Sequence, residues 1–119
     1  MKTFMYTINL KDNPEIINSY KKYHENIWPE VEESLKNIGI INMRIYLLGT
    51  RMVNLIETID DFDPARDLAR YAENNPIVEK WDRMMAEFQH RVPEARDGEW
   101  WALMEKVYEL GKESTDETF

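Results

Sequence analysis

Hydrophobic and polar residues alternate near the start of the chain. Phe4, Tyr6, Ile8 and Leu10 fall on one side and Met5, Thr7 and Asn9 on the other, so residues 3–10 predict a half-buried strand. The period then changes. Asp12-Asn13-Pro14 reads as a turn and a helix start, with Asn13 as N-cap and Pro14 at the first helical position. From there Ile17, Tyr20, His24, Ile27, Trp28, Val31, Leu35 and Ile38 recur at three- and four-residue intervals, the apolar stripe of a helix. Pro29 lacks an amide donor and clashes with the carbonyl of Glu25, so the spacing predicts two helical pieces, 14–25 and 29–38, with a kink between them. Gly39 ends the second. Residues 40–48 and 52–59 return to strand patterns, and Gly49-Thr50-Arg51 is short enough to pair them antiparallel. Met43, Ile45 and Leu47 share one face of the earlier strand; Asn42, Arg44 and Tyr46 share the other. Asp60-Asp-Phe-Asp63-Pro64 opens a helical region with Asp63 as N-cap, and Asn74-Asn75-Pro76 interrupts and restarts it. The restarted helix carries Ile77, Trp81, Met84, Met85 and Phe88. A polar loop over 90–99, a last strand over 101–110 and a charged, frayed tail over 111–119 complete the chain.

Strand, helix, strand, strand, helix, strand is the ferredoxin-like βαββαβ plan, an α+β fold with one antiparallel sheet and its helices on one face. The other sheet face would be wet and partly apolar, and pairing with a second subunit covers it, so a homodimer is expected. No repeat or linker divides residues 1–110, which read as one domain.

Composition narrows the partners. The 119 residues carry 23 acidic against 15 basic side chains, a net charge of −8, which argues against nucleic acid and against an anionic membrane. No apolar run approaches the ~20 residues that span a bilayer. The chain has no cysteine, which removes disulfides and thiolate metal sites. Its first ten residues do not resemble a signal peptide, so a soluble cytoplasmic protein is expected.

Candidate chemistry concentrates on the first helical stripe. Residues four apart stand above one another on a helix, so Tyr20, His24 and Trp28 would form one column, placing an imidazole between two aromatic rings just before a proline. An imidazole titrates near neutral pH, and aromatic faces suit a polyhydroxylated ligand. A core or interface histidine fits the same spacing. The second histidine, His90, falls in the polar loop, and no His-x-x-x-His pair exists, so no metal site is expected. Glu57 shares a strand face with Val53 and Leu55, where a carboxylate must be functional or paired, with Arg44 or Arg51 as candidate partners. Trp81 occupies a core-facing helix position, and Trp100 and Trp101 begin the last strand as candidate interface anchors.

Tyr20-x-x-x-His24-x-x-Ile27-Trp28-Pro29-Glu30-Val31, with Gly39, Asn42, Ile45-Tyr46-Leu47, Glu57 and Trp81-x-x-x-Met85, resembles the L-rhamnose mutarotase family over residues 3–110. The resemblance implies a dimeric ferredoxin-like fold of the α/β-barrel type. It also implies an isomerase that exchanges the α and β anomers of a 6-deoxy-L-hexose without cofactor or metal. His24 would be the proton donor, Tyr20 would contact the sugar and Trp81 would lie in the site. Two positions depart from the pattern: Met43 stands where the family has a tyrosine, and Asp82 where it has a tryptophan. Both positions line the sugar in the family, so the recognised hydroxyls should differ. Asp-Phe-Asp-Pro, Phe-Gln…Pro and Gly98-Glu-x-Trp-x-x-Met resemble a branch linked to L-fucose, leaving L-rhamnose and L-fucose both open. Glu57 or Asp82 is the candidate second proton-transfer group. Two other readings fit the fold: a non-catalytic dimeric ligand-binding domain, and a small ferredoxin-like monooxygenase with His24 as a haem ligand.

Overall fold

A computed structural model describes residues 1–111, so the tail expected over 111–119 lies outside the described residues apart from Gly111. Strand β1 (Lys2–Leu10) leads into helices α1 (Pro14–Glu25) and α2 (Pro29–Asn37). The hairpin β2 (Ile40–Leu48) and β3 (Arg51–Thr58) comes next. A short helix α3 (Pro64–Asp67) and a 3-10 turn (Leu68–Arg70) precede helix α4 (Pro76–Phe88), and two short strands, β4 (Gln89–His90) and β5 (Ala102–Leu103), come last. Among the described residues, all four α-helices begin with proline at the first helical position, where a missing amide donor costs nothing. Asn13 caps α1 by accepting from the amides of Glu15 and Ile16, and Asn75 caps α4 by accepting from Ile77 and Val78.

The sheet runs β2-β3-β1-β4, with β5 also on β1, all antiparallel. This is the ferredoxin-like order. The register from Lys2↔Thr58 to Asn9↔Arg51 sets Tyr6 opposite Asn54 and Ile8 opposite Met52. One irregularity interrupts β2: Ile40 pairs with Thr58 and Asn42 with Glu57, leaving Ile41 as the extra residue. That bulge shifts the side-chain phase by one, so Ile40 and the odd-numbered Met43, Ile45 and Leu47 all turn toward the helices.

Side chains between sheet and helices form two packed groups. The first joins Ile8, Leu10 and Met52 of the sheet to Tyr20, Val31, Trp81 and Met85 of the helices. The second joins Tyr6 and Ile56 to Ile38, Ile40 and Phe62. Leu35, Tyr71 and Trp101 pack against both and form the seam.

Four expectations change. The last strand is two residues long rather than ten: past Met104, whose amide still donates to the Met5 carbonyl at 2.8 Å, the chain forms no further ladder among the described residues, and Val107, Tyr108 and Leu110 are exposed. His90 belongs to β4, opposite Asn9, and not to the loop. On α4 it is Val78 that is buried, while Ile77 faces solvent, because the helix is rotated slightly from the stripe that the spacing implies. Asp63 does sit at the N-cap of α3, but its side chain does not cap; its amide donates instead to Asp67 Oδ2 at 2.9 Å.

Candidate active site

His24 sits in the last turn of α1, half-buried. Its Nδ1 lies 2.8 Å from the carbonyl oxygen of Tyr20. A carbonyl only accepts, so Nδ1 carries the proton and Nε2 of the neutral ring keeps its lone pair. Burial lowers the imidazole pKa below its ordinary value and the bond to Tyr20 opposes that only in part. The rings of His24 and Tyr20 stack with centroids 4.2 Å apart. Trp81 meets His24 edge-on at 5.5 Å, and its ring is also met by Tyr23 at 6.0 Å and Trp28 at 5.2 Å. Trp81 is 4% exposed, so these contacts make it a rigid wall that fixes the imidazole. Because α1 ends at Glu25, Trp28 leaves the column expected with Tyr20 and His24 and reaches Trp81 instead.

The Tyr20 phenol is buried, and burial pushes its pKa up to about 12, so it stays a neutral hydroxyl. Gln89 Nε2 lies 3.5 Å from that hydroxyl, a long contact, while Gln89 Oε1 accepts from Trp100 Nε1 at 2.6 Å. Gln89 is buried, and its amide orients the phenol from behind and leaves the hydroxyl proton free to be donated. Tyr71 adds a half-buried phenol, its pKa raised by desolvation and by the nearby charge of Asp82. The hydroxyl of Ser34 on α2 donates to the Tyr71 carbonyl and pins that segment.

The structure brings Tyr20, His24 and Trp81 into direct contact. Asp82 stands beside Tyr71, open to solvent on one side yet crowded enough that desolvation raises its carboxyl pKa. Met43 faces the helices but packs against the second group, with Tyr6, Ile56 and Phe62. Glu57 is not brought to this group. It lies on the helix-free face, accepting from Asn42 Nδ2 at 3.1 Å with Arg44 4.0 Å away, which is the paired alternative open to it. A polar cavity of about 290 Å³ between α2 and the turn at 73–75 includes neither His24 nor Tyr20. Gln89 and Tyr71 are the residues that sequence reasoning missed. Gln89 was visible only as part of the Phe-Gln…Pro segment, and Tyr71 occupies irregular backbone, where no periodicity marks a facing side. Among the described residues no three His, Asp or Glu side chains are placed to hold a metal ion, and no helix is long and apolar enough to cross a membrane.

A family model described as L-rhamnose mutarotase matches residues 3–110. A UPF0734 protein of Dictyostelium discoideum is 43% identical over 112 residues, 92% of this chain and 90% of its own. An L-fucose mutarotase of Xanthomonas campestris pv. campestris is 32% identical over 114 residues, 94% of this chain and 90% of its own. Among solved structures, an L-rhamnose mutarotase of Formosa agariphila superposes with a TM-score of 0.67 at 22% identity, covering 92% of this chain and 99% of that one, a likeness of fold.

Proposed function

The chain belongs to the L-rhamnose mutarotase family, and on that premise we infer that it is an isomerase exchanging the α and β anomers of L-rhamnose or L-fucose by acid/base-catalysed ring opening. The observation that carries the chemistry is the proton placement on His24: with Nδ1–H committed to the Tyr20 carbonyl, Nε2 is the free base of the site. Nε2 takes the proton from the anomeric hydroxyl and returns it to the ring oxygen as the bond between C1 and that oxygen breaks. The open-chain aldehyde forms, the C1–C2 bond rotates, and the steps reverse on the other carbonyl face. The two oxygens share C1, so one imidazole serves both transfers. The neutral Tyr20 hydroxyl donates to the sugar and orients it, and Trp81 holds His24 in place. Asp82, on the same face of the sheet as this group, remains the candidate second proton-transfer group; Glu57, on the other face, does not reach His24 within one subunit.

The comparison of L-fucose with L-rhamnose is part of the reading. Met43 and Asp82 replace a tyrosine and a tryptophan of the rhamnose pattern, and a relative named for L-fucose matches nearly the whole chain. Saturation transfer between anomeric proton resonances, run with L-fucose, L-rhamnose and D-galactose, tests it. Transfer with the first or second sugar is expected, and transfer with none overturns it.

The reading includes a homodimer formed by residues 1–110 acting as one domain. Tyr46 and Leu48 (86% exposed) on the helix-free face and the apolar residues Val107, Tyr108 and Leu110 support it. A monomer in analytical ultracentrifugation at micromolar concentration would remove the dimer.

A further inference from the structure

Among the described residues, two buried polar atoms in the sheet have no hydrogen-bond partner. Tyr6 Oη and Asn54 Oδ1 make no hydrogen bond, and both residues are 8% exposed. They are direct cross-strand partners on β1 and β3, and both turn toward the helices, as do their strand neighbours Ile8, Met52 and Ile56. Buried polar atoms are nearly always paired, because an unmade bond forfeits the full cost of desolvation. Two orphans side by side on one face are therefore a signal that something else completes them.

Their position says what. Along β3, Asn54 lies between Met52, which packs in the Tyr20–Trp81 group, and Ile56, which packs in the other. The pair thus marks the seam between the two packed groups. The seam is covered by Tyr71 and Trp101, which touch both groups and stand on irregular backbone rather than in helix or strand. Such segments open more readily than regular elements. Tyr71 packs against the group that contains Tyr20, and Tyr20 stacks on His24, so the seam continues from the proton-transfer group.

We propose that Tyr6 and Asn54 are the specificity-determining residues of the sugar site, hydrogen-bonding the hydroxyls at the end of the pyranose remote from the anomeric carbon. The assignment rests on the mutarotase reading above and adds to it the groups that read the sugar. Tyr6 brings one donor and two acceptor positions, and the Asn54 amide brings both. L-Fucose and L-rhamnose differ in configuration at C2 and C4; of these C4 lies at the remote end, so a floor that fixes its hydroxyl in one sugar leaves polar atoms unpaired against the other.

The test uses Tyr6→Phe and Asn54→Leu, singly and together, with anomeric exchange measured on L-fucose and L-rhamnose. Each variant should raise KM for the preferred sugar about tenfold, the loss of one hydrogen bond. The kcat should hold within about twofold, because His24 is untouched and the interaction is made equally in ground and transition states. The preference between the two sugars should narrow by a similar factor. Thermal stability should not fall, because each change removes an unpaired buried polar group. Unchanged KM and unchanged preference in both single variants, with the wild type active, overturn the inference and leave the mutarotase reading standing. A wild type that exchanges neither sugar overturns that reading, and the inference with it. Should Asn54→Leu fail to fold, Tyr6→Phe decides alone.

Discussion

His24 Nδ1 and the carbonyl oxygen of Tyr20, one helical turn earlier, are 2.8 Å apart. The bond fixes the tautomer and aims Nε2 away from the helix. Replacing His24 by Asn removes the titrating group and keeps an amide able to donate to the same carbonyl. Anomeric exchange should fall at least ~10²-fold, the ordinary contribution of a positioned acid/base, with little change in Tm. Saturation-transfer rates and a melting curve check both halves, and exchange at the wild-type rate would remove His24 from the chemistry.

Burial lowers the His24 pKa, which sets the sign of the pH dependence. The base must be neutral, so kcat/KM should be flat through neutrality and decline only below the ordinary imidazole value of about 6.5. Because the folded pKa lies below the unfolded one, the unfolded chain binds the proton first as pH falls. Stability at this site is therefore full above about 6.5 and is lost as pH drops through the folded value. A kcat/KM profile whose acid limb starts above 6.5 would contradict the burial argument.

Trp100 donates to the buried Oε1 of Gln89 at 2.6 Å, and Gln89 backs the Tyr20 hydroxyl. Trp100→Phe keeps the ring bulk but orphans that oxygen. A loss of ~1–3 kcal/mol is expected, read by urea denaturation, with a weaker grip on Tyr20 appearing as raised KM. A variant as stable as the wild type would mean that water replaces the indole.

Gly39 adopts φ +105° at the exit of α2, and a Cβ there would stand 2.9 Å from two atoms of Ile59. Gly39→Ala combines a strained backbone with a steric contact and should cost ~1–3 kcal/mol. The same denaturation experiment reads it. Gly49 and Gly98 meet nothing within 4 Å, so their alanine variants should lose less.

Asp67 is 2% exposed and is held by Arg66, by the Asp63 amide and by Arg70, which keep its carboxyl well below the usual carboxylate range. Its folded pKa lies below its unfolded one, so its contribution is complete above about pH 4 and is lost as pH falls toward the folded value. Asp67→Asn should lower Tm at pH 7 and flatten the dependence of Tm on pH below 4. An unchanged acid dependence would show that other carboxylates govern it.

The strands and helix starts were legible in the chain because their signals are local. Tyr6, Ile8 and Leu10 alternate, and Asn13-Pro14 and Asn75-Pro76 open α1 and α4. Tyr20 and His24 were legible as neighbours for the same reason. What depended on packing between distant segments was not. The Ile41 bulge is a register event between two strands, and neither strand shows it alone. Glu57 shares a face with Val53 and Leu55, but which face of the sheet the helices cover is decided elsewhere in the chain. The last strand was overestimated because Val107, Tyr108 and Leu110 are apolar whether or not a ladder partner exists within the subunit. Gln89 and Tyr71 acquire their roles only through residues 69 and 11 positions away, Tyr20 and Asp82.

The crowded edge of β1 has a kinetic meaning. Strand β1, which precedes all its partners in the chain, pairs with β3 through Lys2↔Thr58, with β4 through Leu10↔Gln89 and with β5 through Tyr6↔Leu103. It has no sequence-local partner at all, so every rung on it closes a long loop. Proteins dominated by such contacts fold slowly for their size. Until residues 102–103 arrive, the outer edge of β1 at Tyr6 and Thr7 stays open to pairing with another chain. On a ribosome this strand would emerge before every strand it pairs with and would be completed only when residues 102–103 follow.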